Sequence, residues 1–365
     1  LTEPTAAGKD SRALRAQQVQ LEQAVRARSR HASGRGAPAG DLDIAELAAM
    51  LGDRALVEIL RVDDAMFAVT AVAGRLRLTP LGAYPDALRE QESLRFSLHR
   101  LARRHGSKTS LATAETTLAH AAANLDALLL RPVLDLVGDR ELVIVPTGHL
   151  HALPWPALPS LRGRAVSVAP SATSWLTAMR ANAKAARRVD DRVVLVAGPG
   201  LEHAALEVTS LAKLYARPEI LTGKKAGADA VAATMDGAEL VHIAAHGKFR
   251  ADNPQFSAIE LADGPLTVYD LERIRRAPRR MVLSACDSGL SAVHPGDELM
   301  GLAGAVFSLG TATLIASVVP VADDVTKALM LELHRELCAG SSPAAALAAA
   351  QQRVRADGFV CFGAA

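Results

Sequence analysis

Two short stretches end in side chains that could do chemistry together. "VHIAAHGKF", residues 241–249, carries an apolar run to His246 and then Gly247; "MVLSACDSG", residues 281–289, carries one to Cys286 and then the turn Asp287-Ser288-Gly289. A free thiol is mostly protonated at neutral pH, with a pKa of roughly 8.5. An imidazole beside it can take the proton, leave a nucleophilic thiolate, and return the proton to a leaving amine. The two residues stand 286 − 246 = 40 positions apart, so the fold has to bring them together. If the two runs are neighbouring strands of a parallel sheet, both side chains emerge at the same edge. A glycine close behind each lets a substrate backbone approach, and the N–H groups of Gly247 and Cys286 are then available to hold a developing oxyanion.

A cysteine on an apolar run is ordinarily core, since free Cys is among the most buried residue types. The matching histidine at the end of a second run is what argues otherwise for Cys286. His242 lies earlier on the same run as His246 and reads as structural; Cys338, in a helical stretch, and Cys361, in "FVCFG", read as core. His149 and His151 in "TGHLHALPW" have no carboxylate or cysteine beside them and read as part of a structured polar turn. In "HPGDEL", Asp297 and Glu298 stand where a helix is expected to begin, which capping and the helix dipole explain; they also follow Cys286 closely enough to line its cleft. Common alternatives fail. "AGPGLEH" lacks the third glycine of a dinucleotide loop, "LTGKKAG" is not a P-loop, and no GxSxG elbow exists.

The elements that must position these residues follow from rhythm. "ELVIVPT", "AVSVAP", "RVVLVAGPG", "AELVHIAAHG", "RRMVLSACDSG" and "TATLIASVV" are short apolar runs, most ending in Gly, Pro or small polar residues, with helical stretches such as 171–187, 202–216 and 297–309 among them. That alternation predicts an α/β fold, a mainly parallel sheet flanked by helices, with sites beyond the carboxyl ends of its strands. Upstream, a helix is expected from Asp43, then successive strands turning at Asp63-Asp64 and Gly74, then long helices at roughly 86–105 and 110–131. Residues 11–30 have helical spacing and run into a flexible linker, "HASGRGAPAG". A boundary is expected near 188–192, giving a helix and linker at 1–40, a first half at 41–190 and a second at 191–365; all three cysteines lie in the second half.

Bulk properties narrow the function. The 365 residues are 50% apolar with a formal charge of +2 and 3% aromatics, so neither an electrostatic field nor stacking platforms point to nucleic acid. Three cysteines without a CxxC pair make neither a disulfide framework nor a zinc or redox motif, and a reducing, cytoplasmic setting is expected. Residues 299–322 carry no charge, the length of a membrane span, but Gly310 divides them into a helical half and a β-branched half, closed by Pro320, which reads as a buried helix and strand. The start, "LTEPTAAGKD", has no apolar signal core and no initiator Met, which suggests a processed or partial chain.

Over roughly 41–363 the chain resembles the CHAT family of caspase-like cysteine proteases, often found behind tetratricopeptide repeats. The resemblance rests on ordered blocks: "LVIVPTGHLHALPW", "SVAPSATSWL", "LVHIAAHGKF", "VLSACDSGL", "GDELMGLAGAVFSLG", "ASVVPVADD" and "GFVCFGA". It implies a caspase-type sandwich with an inactive caspase-like half before an active one, and His246 and Cys286 as a catalytic dyad for peptide-bond hydrolysis without metal or cofactor. It also implies a junction to upstream repeats at 11–30 and, as is common in such families, gating by a partner or signal, with roles in regulated cleavage or bacterial defence. Two departures stand out: Val319 where the family usually has Trp, and Asp287-Ser288-Gly289 where it often has Glu-Thr-Gly. The expected partner is a protein or peptide substrate, lying extended and pairing by backbone near 317–320, where Ser317 and Val319 stand. Asp287, Asp297 and Asp323 are candidates for reading a basic side chain. A caspase-like scaffold that binds partners without cutting is the competing reading.

Overall fold

The computed structural model describes residues 42–103, 107–186, 191–201, 203–248, 258–267, 270–271, 273–284, 293–294, 298–299, 306–307, 309–319 and 321–364. The expected helix at 11–30 belongs to Leu1–Asp41, a separate unit outside these residues; Leu42–Ala365 forms one compact unit. It opens with α1 (Ile44–Leu51), where the Asp43 carboxylate accepts the N–H groups of Ala45 and Glu46, the ordinary chemistry of an N-cap. Strands β1 (Ala55–Val62), β2 (Ala65–Val72) and β3 (Arg75–Ala83) form an antiparallel meander. Its second turn sets Ala73 and Gly74 both at positive φ, 48° and 74°, as a tight two-residue hairpin loop requires.

Helices α2 (Tyr84–Arg103), α3 (Lys108–Leu129) and the short α4 (Leu134–Val137) follow. Next come β4 (Leu142–Val145), β5 (Val166–Val168), α5 (Ala172–Ala185), β6 (Val193–Ala197), α6 (Ala204–Ala212), β7 (Glu219–Leu221), α7 (Ala228–Met235) and β8 (Leu240–Ala244). A small sheet is made of β9 (Gly247–Lys248), β10 (Ala258–Leu261) and β11 (Gly264–Thr267). The chain then forms β12 (Arg280–Ser284), the paired dipeptides β13 (Val293–His294) and β14 (Glu298–Leu299), and β15 (Thr313–Ser317). It closes with α8 (Asp323–Cys338), α9 (Pro343–Val354) and β16 (Phe359–Gly363).

Eleven strands make one sheet in the order β3-β2-β1-β4-β5-β16-β15-β12-β8-β6-β7, most neighbours being parallel. Because β16 is antiparallel to β15 but parallel to β5, the strands of the first half run against those of the second. The carboxyl ends of β6, β8, β12 and β15 therefore share an edge with the amino ends of β4 and β5. Strands such as β6, VVLVA, and β15, TLIAS, are buried along their whole length, because helices cover both faces. On the second half's strands, Leu195, Ala244, Val282 and Ile315 pack under α6, α8 and α9. Val196, Ile243, Leu283 and Ala316 face the opposite layer, which includes α7 and is continuous with the core under α2 and α3. Helices α1 and α5 cover the first half's other face.

One expected element differs. The helix foreseen from Asp297 and Glu298 is not what stands at 298–299: Val293–His294 and Glu298–Leu299 pair antiparallel. In the sequence, Pro295-Gly296, a dipeptide with strong turn preference, lies between the two dipeptides. Asp297 itself lies outside the described residues.

Candidate active site

Strands β6, β8 and β12 finish level with one another. Ala197 pairs with Ala244, and Ala244 with Ser284. From there the buried Ala245 leads to the exposed His246, and the chain enters β9. The glycines after β6 make this possible. Gly198 donates its N–H to the Ala244 carbonyl at 2.8 Å, and a Cβ there would stand 2.5 Å from the Ala245 Cβ and 2.8 Å from the Glu260 carbonyl oxygen. Gly200, at φ +80°, brings its carbonyl oxygen to 3.3 Å from His246 Nε2. A carbonyl only accepts, so Nε2 carries a proton in this contact, which makes Nδ1 the nitrogen that can accept one.

Gly247 is held in β9 opposite Ile259 of β10. The Glu260 N–H donates to the His246 carbonyl at 2.8 Å, which makes 246 and 260 a hydrogen-bonded pair. The next pair, Gly247 and Ile259, is then of the other kind, whose N–H groups point away from the partner strand. The Gly247 N–H is thus directed outward from the small sheet, at the edge where His246 emerges.

Of the residues singled out from the sequence, Cys286, Asp287 and Asp297 lie outside the described residues, and Glu298 is placed only as a residue of β14. Asp323 opens α8. Ser317 ends β15 and is buried, as is Val319. The Val318 N–H already bonds the Gly358 carbonyl at 3.0 Å, so that donor is taken before any extended substrate could pair with it. The reason is the position of β15, an interior strand flanked by β12 and β16. His149 and His151 sit in a 3-10 turn, Gly148–Ala152. Tyr84 Oη accepts the His149 N–H, Gln91 donates to the His149 carbonyl, and His151 Nδ1 is 2.9 Å from the Gly148 carbonyl. His242 is wholly buried and its Nε2 lies 2.8 Å from Glu207 Oε1. Among the described residues no three His, Cys, Asp or Glu side chains gather as metal ligands would, and no helix is long and apolar enough to cross a membrane.

Gly198 and Gly200 were not legible as part of this site. Their signal, "AGPG" directly after an apolar strand, is present, but it reads as a failed nucleotide loop unless the neighbouring strand end is known.

Comparison with known families settles the lineage. A family model described as the CHAT domain matches residues 119–358. The chain belongs to the CHAT domain family. No curated protein sequence matches this CHAT protein. Among solved structures it is similar to separase of Saccharomyces cerevisiae in two separase–securin complexes, at 10% identity in each, with TM-scores of 0.64 and 0.60. These matches cover 88% of this chain but only 30% and 31% of the separase chain. The Arg-specific cysteine proteinase gingipain R is matched with a TM-score of 0.42 at 10% identity, over 76% of this chain and 75% of that one. The fold of the CHAT protein is caspase-like: a mostly parallel sheet flanked by helices.

Proposed function

We propose that the chain is a cysteine endopeptidase in which Cys286 is the nucleophile and His246 its base. The observation that carries this reading is the register of β8 and β12. Every pair, from Leu240 with Arg280 to Ala244 with Ser284, is offset by 40 residues, and 286 − 246 = 40. A thiol and an imidazole thus follow two adjacent parallel strands, each by the same two residues.

The tautomer of His246 supports the role. With Nε2–H bonded to Gly200, Nδ1 accepts the thiol proton; the thiolate attacks the scissile carbonyl, and the N–H groups of Gly247 and Cys286 stabilise the oxyanion. The C–N bond breaks as the amine takes the proton from Nδ1. Water, deprotonated by His246, then cleaves the thioester, releasing the acid and restoring the thiol. Asp287, Asp297 and Asp323 are the carboxylates proposed to read a basic side chain.

The same proposal divides the chain into a junction at 1–40, a non-catalytic caspase-like half at 41–190 and a catalytic half at 191–365. The reversal of strand direction between β5 and β15, across β16, supports the division. A partner or signal, upstream tetratricopeptide repeats among the candidates, gates cleavage of a protein substrate in a cytoplasmic setting. The test is covalent labelling by an electrophilic peptidyl probe. Wild type forms the adduct on Cys286, and His246→Ala forms it about 10²-fold more slowly or worse; equal labelling of wild type and Cys286→Ala would overturn the assignment.

A further inference from the structure

Beneath the proposed site runs a chain of polar side chains that the reaction does not use. Glu207 on α6, His242 on β8 and His334 on α8 are buried, the two histidines completely. His242 Nε2 lies 2.8 Å from Glu207 Oε1, His334 Nε2 3.1 Å from His242 Nδ1, and Tyr215 Oη 2.7 Å from His334 Nδ1. The two imidazoles meet edge to face at 72°. Apolar residues surround them, among them Leu195, Val208, Val282 and Leu333.

Burial raises the Tyr215 hydroxyl pKa, so it keeps its proton, and burial with His242 alongside holds the His334 imidazole well below its ordinary range, so it is neutral. Each of the four ring nitrogens has a partner within hydrogen-bond distance, as buried polar groups require.

We infer that Glu207 and His242 are positioning residues for His246, closing a circuit that fixes the imidazole against the Gly200 carbonyl. One arm of the circuit is the end of β8 and the two residues after it, from His242 to His246, four residues. The other is the loop and first turn of α6, from Gly200 to Glu207, seven residues. The Glu207–His242 bond joins the arms at the buried end, and the His246–Gly200 bond joins them at the exposed end. Apolar packing between the helix and the sheet resists sliding, and a buried hydrogen bond near 2.8 Å adds a directional restraint, since it weakens steeply with distance and angle. A slip of α6 by one residue, about 1.5 Å along its axis, carries Gly200 with it and breaks the outer bond. His334 extends the anchorage to α8, the helix that follows β15 at the same sheet edge.

This inference rests on the cysteine-protease reading for its consequence but not for its test, which has two independent readouts. Imidazole ¹⁵N NMR reports the tautomer of His246, and probe labelling reports Cys286. In wild type, His246 is the Nε2–H tautomer. In Glu207→Leu it relaxes toward the tautomer mixture of a free imidazole and labelling slows about 10- to 100-fold, whereas Glu207→Gln, which still accepts through its amide oxygen, restores both. Should Glu207→Leu fail to fold, Glu207→Asp, with the carboxylate withdrawn by one methylene, takes its place with the same expected direction. A folded Glu207→Leu or Glu207→Asp protein whose His246 tautomer matches wild type overturns the positioning role. Absence of Cys286 labelling in wild type, with the tautomer shift intact, counts against the protease reading and leaves the positioning role standing.

Discussion

Adding one methyl group at Gly198 tests how the site is held. The Cβ of Gly198→Ala would stand 2.5 Å from the Ala245 Cβ and 2.8 Å from the Glu260 carbonyl oxygen, where carbon contacts settle at about 3.5–4.0 Å. Neither neighbour can yield by a rotamer change: one is a methyl on fully buried backbone, the other a backbone oxygen. The backbone has to move by about 1 Å to recover that contact distance, and overpacking of this kind costs about 1–3 kcal/mol. The shift reaches His246 by two routes, since Ala245 is covalently next to it and the Glu260 N–H bonds its carbonyl. Misplacement by that amount slows a reaction by about 10²-fold. The assay is a denaturant midpoint together with the rate of Cys286 labelling. Gly223→Ala is the control: its φ is positive, +54°, but nothing stands within 4 Å of the added Cβ, so it costs about 1–2 kcal/mol and leaves labelling unchanged. A Gly198→Ala protein as stable as wild type within about 0.5 kcal/mol and labelled at the wild-type rate would show that Gly198 does not hold His246 in place.

Other consequences follow from the buried groups. The His334 imidazole is held well below 6.5 by burial and by His242. The unfolded chain therefore binds a proton near 6.5 that the native state refuses, and this residue's contribution to stability is complete above that pH and declines below it, by at most about 1.4 kcal/mol per pH unit. Urea midpoints between about pH 7.5 and 5.5 should fall less steeply for His334→Gln than for wild type, and parallel slopes would contradict the assignment. Burial pushes the Cys361 thiol up to about 12, so iodoacetamide should modify the exposed Cys338 and spare Cys361 in the native protein; comparable alkylation by mass spectrometry would count against the placement of β16. Asp126 is buried and accepts from the Ser160 N–H at 2.9 Å and its hydroxyl at 2.8 Å. Asp126→Ala should cost about 1–3 kcal/mol in a denaturation experiment, and a neutral result would mean that water replaces the carboxylate freely.

Local patterns were legible and long-range order was not. The meander turns at Asp63-Asp64 and Ala73-Gly74, and six apolar runs became β4, β5, β6, β8, β12 and β15, because burial on both faces leaves an uninterrupted apolar stretch. Strand β16 reads only as core in "FVCFG": nothing local says that it runs antiparallel between β15 and β5 and reverses one half against the other. The β10–β11 hairpin had a signal, Asp263-Gly264, that the flanking short runs obscured. At the site, the parallel placement of the strands bearing His246 and Cys286 followed from sequence, while the Gly200 carbonyl and Glu207 did not. Their roles depend on which strand end and which helix come to lie beside them.

Cleavage of a protein by Cys286 and His246 is open to direct test by mapping new protein termini in cells expressing wild type, Cys286→Ala or His246→Ala. A set of termini, sharing a side-chain preference before the cut, should appear with wild type and vanish with either substitution; the same termini in all three would contradict cleavage by this pair.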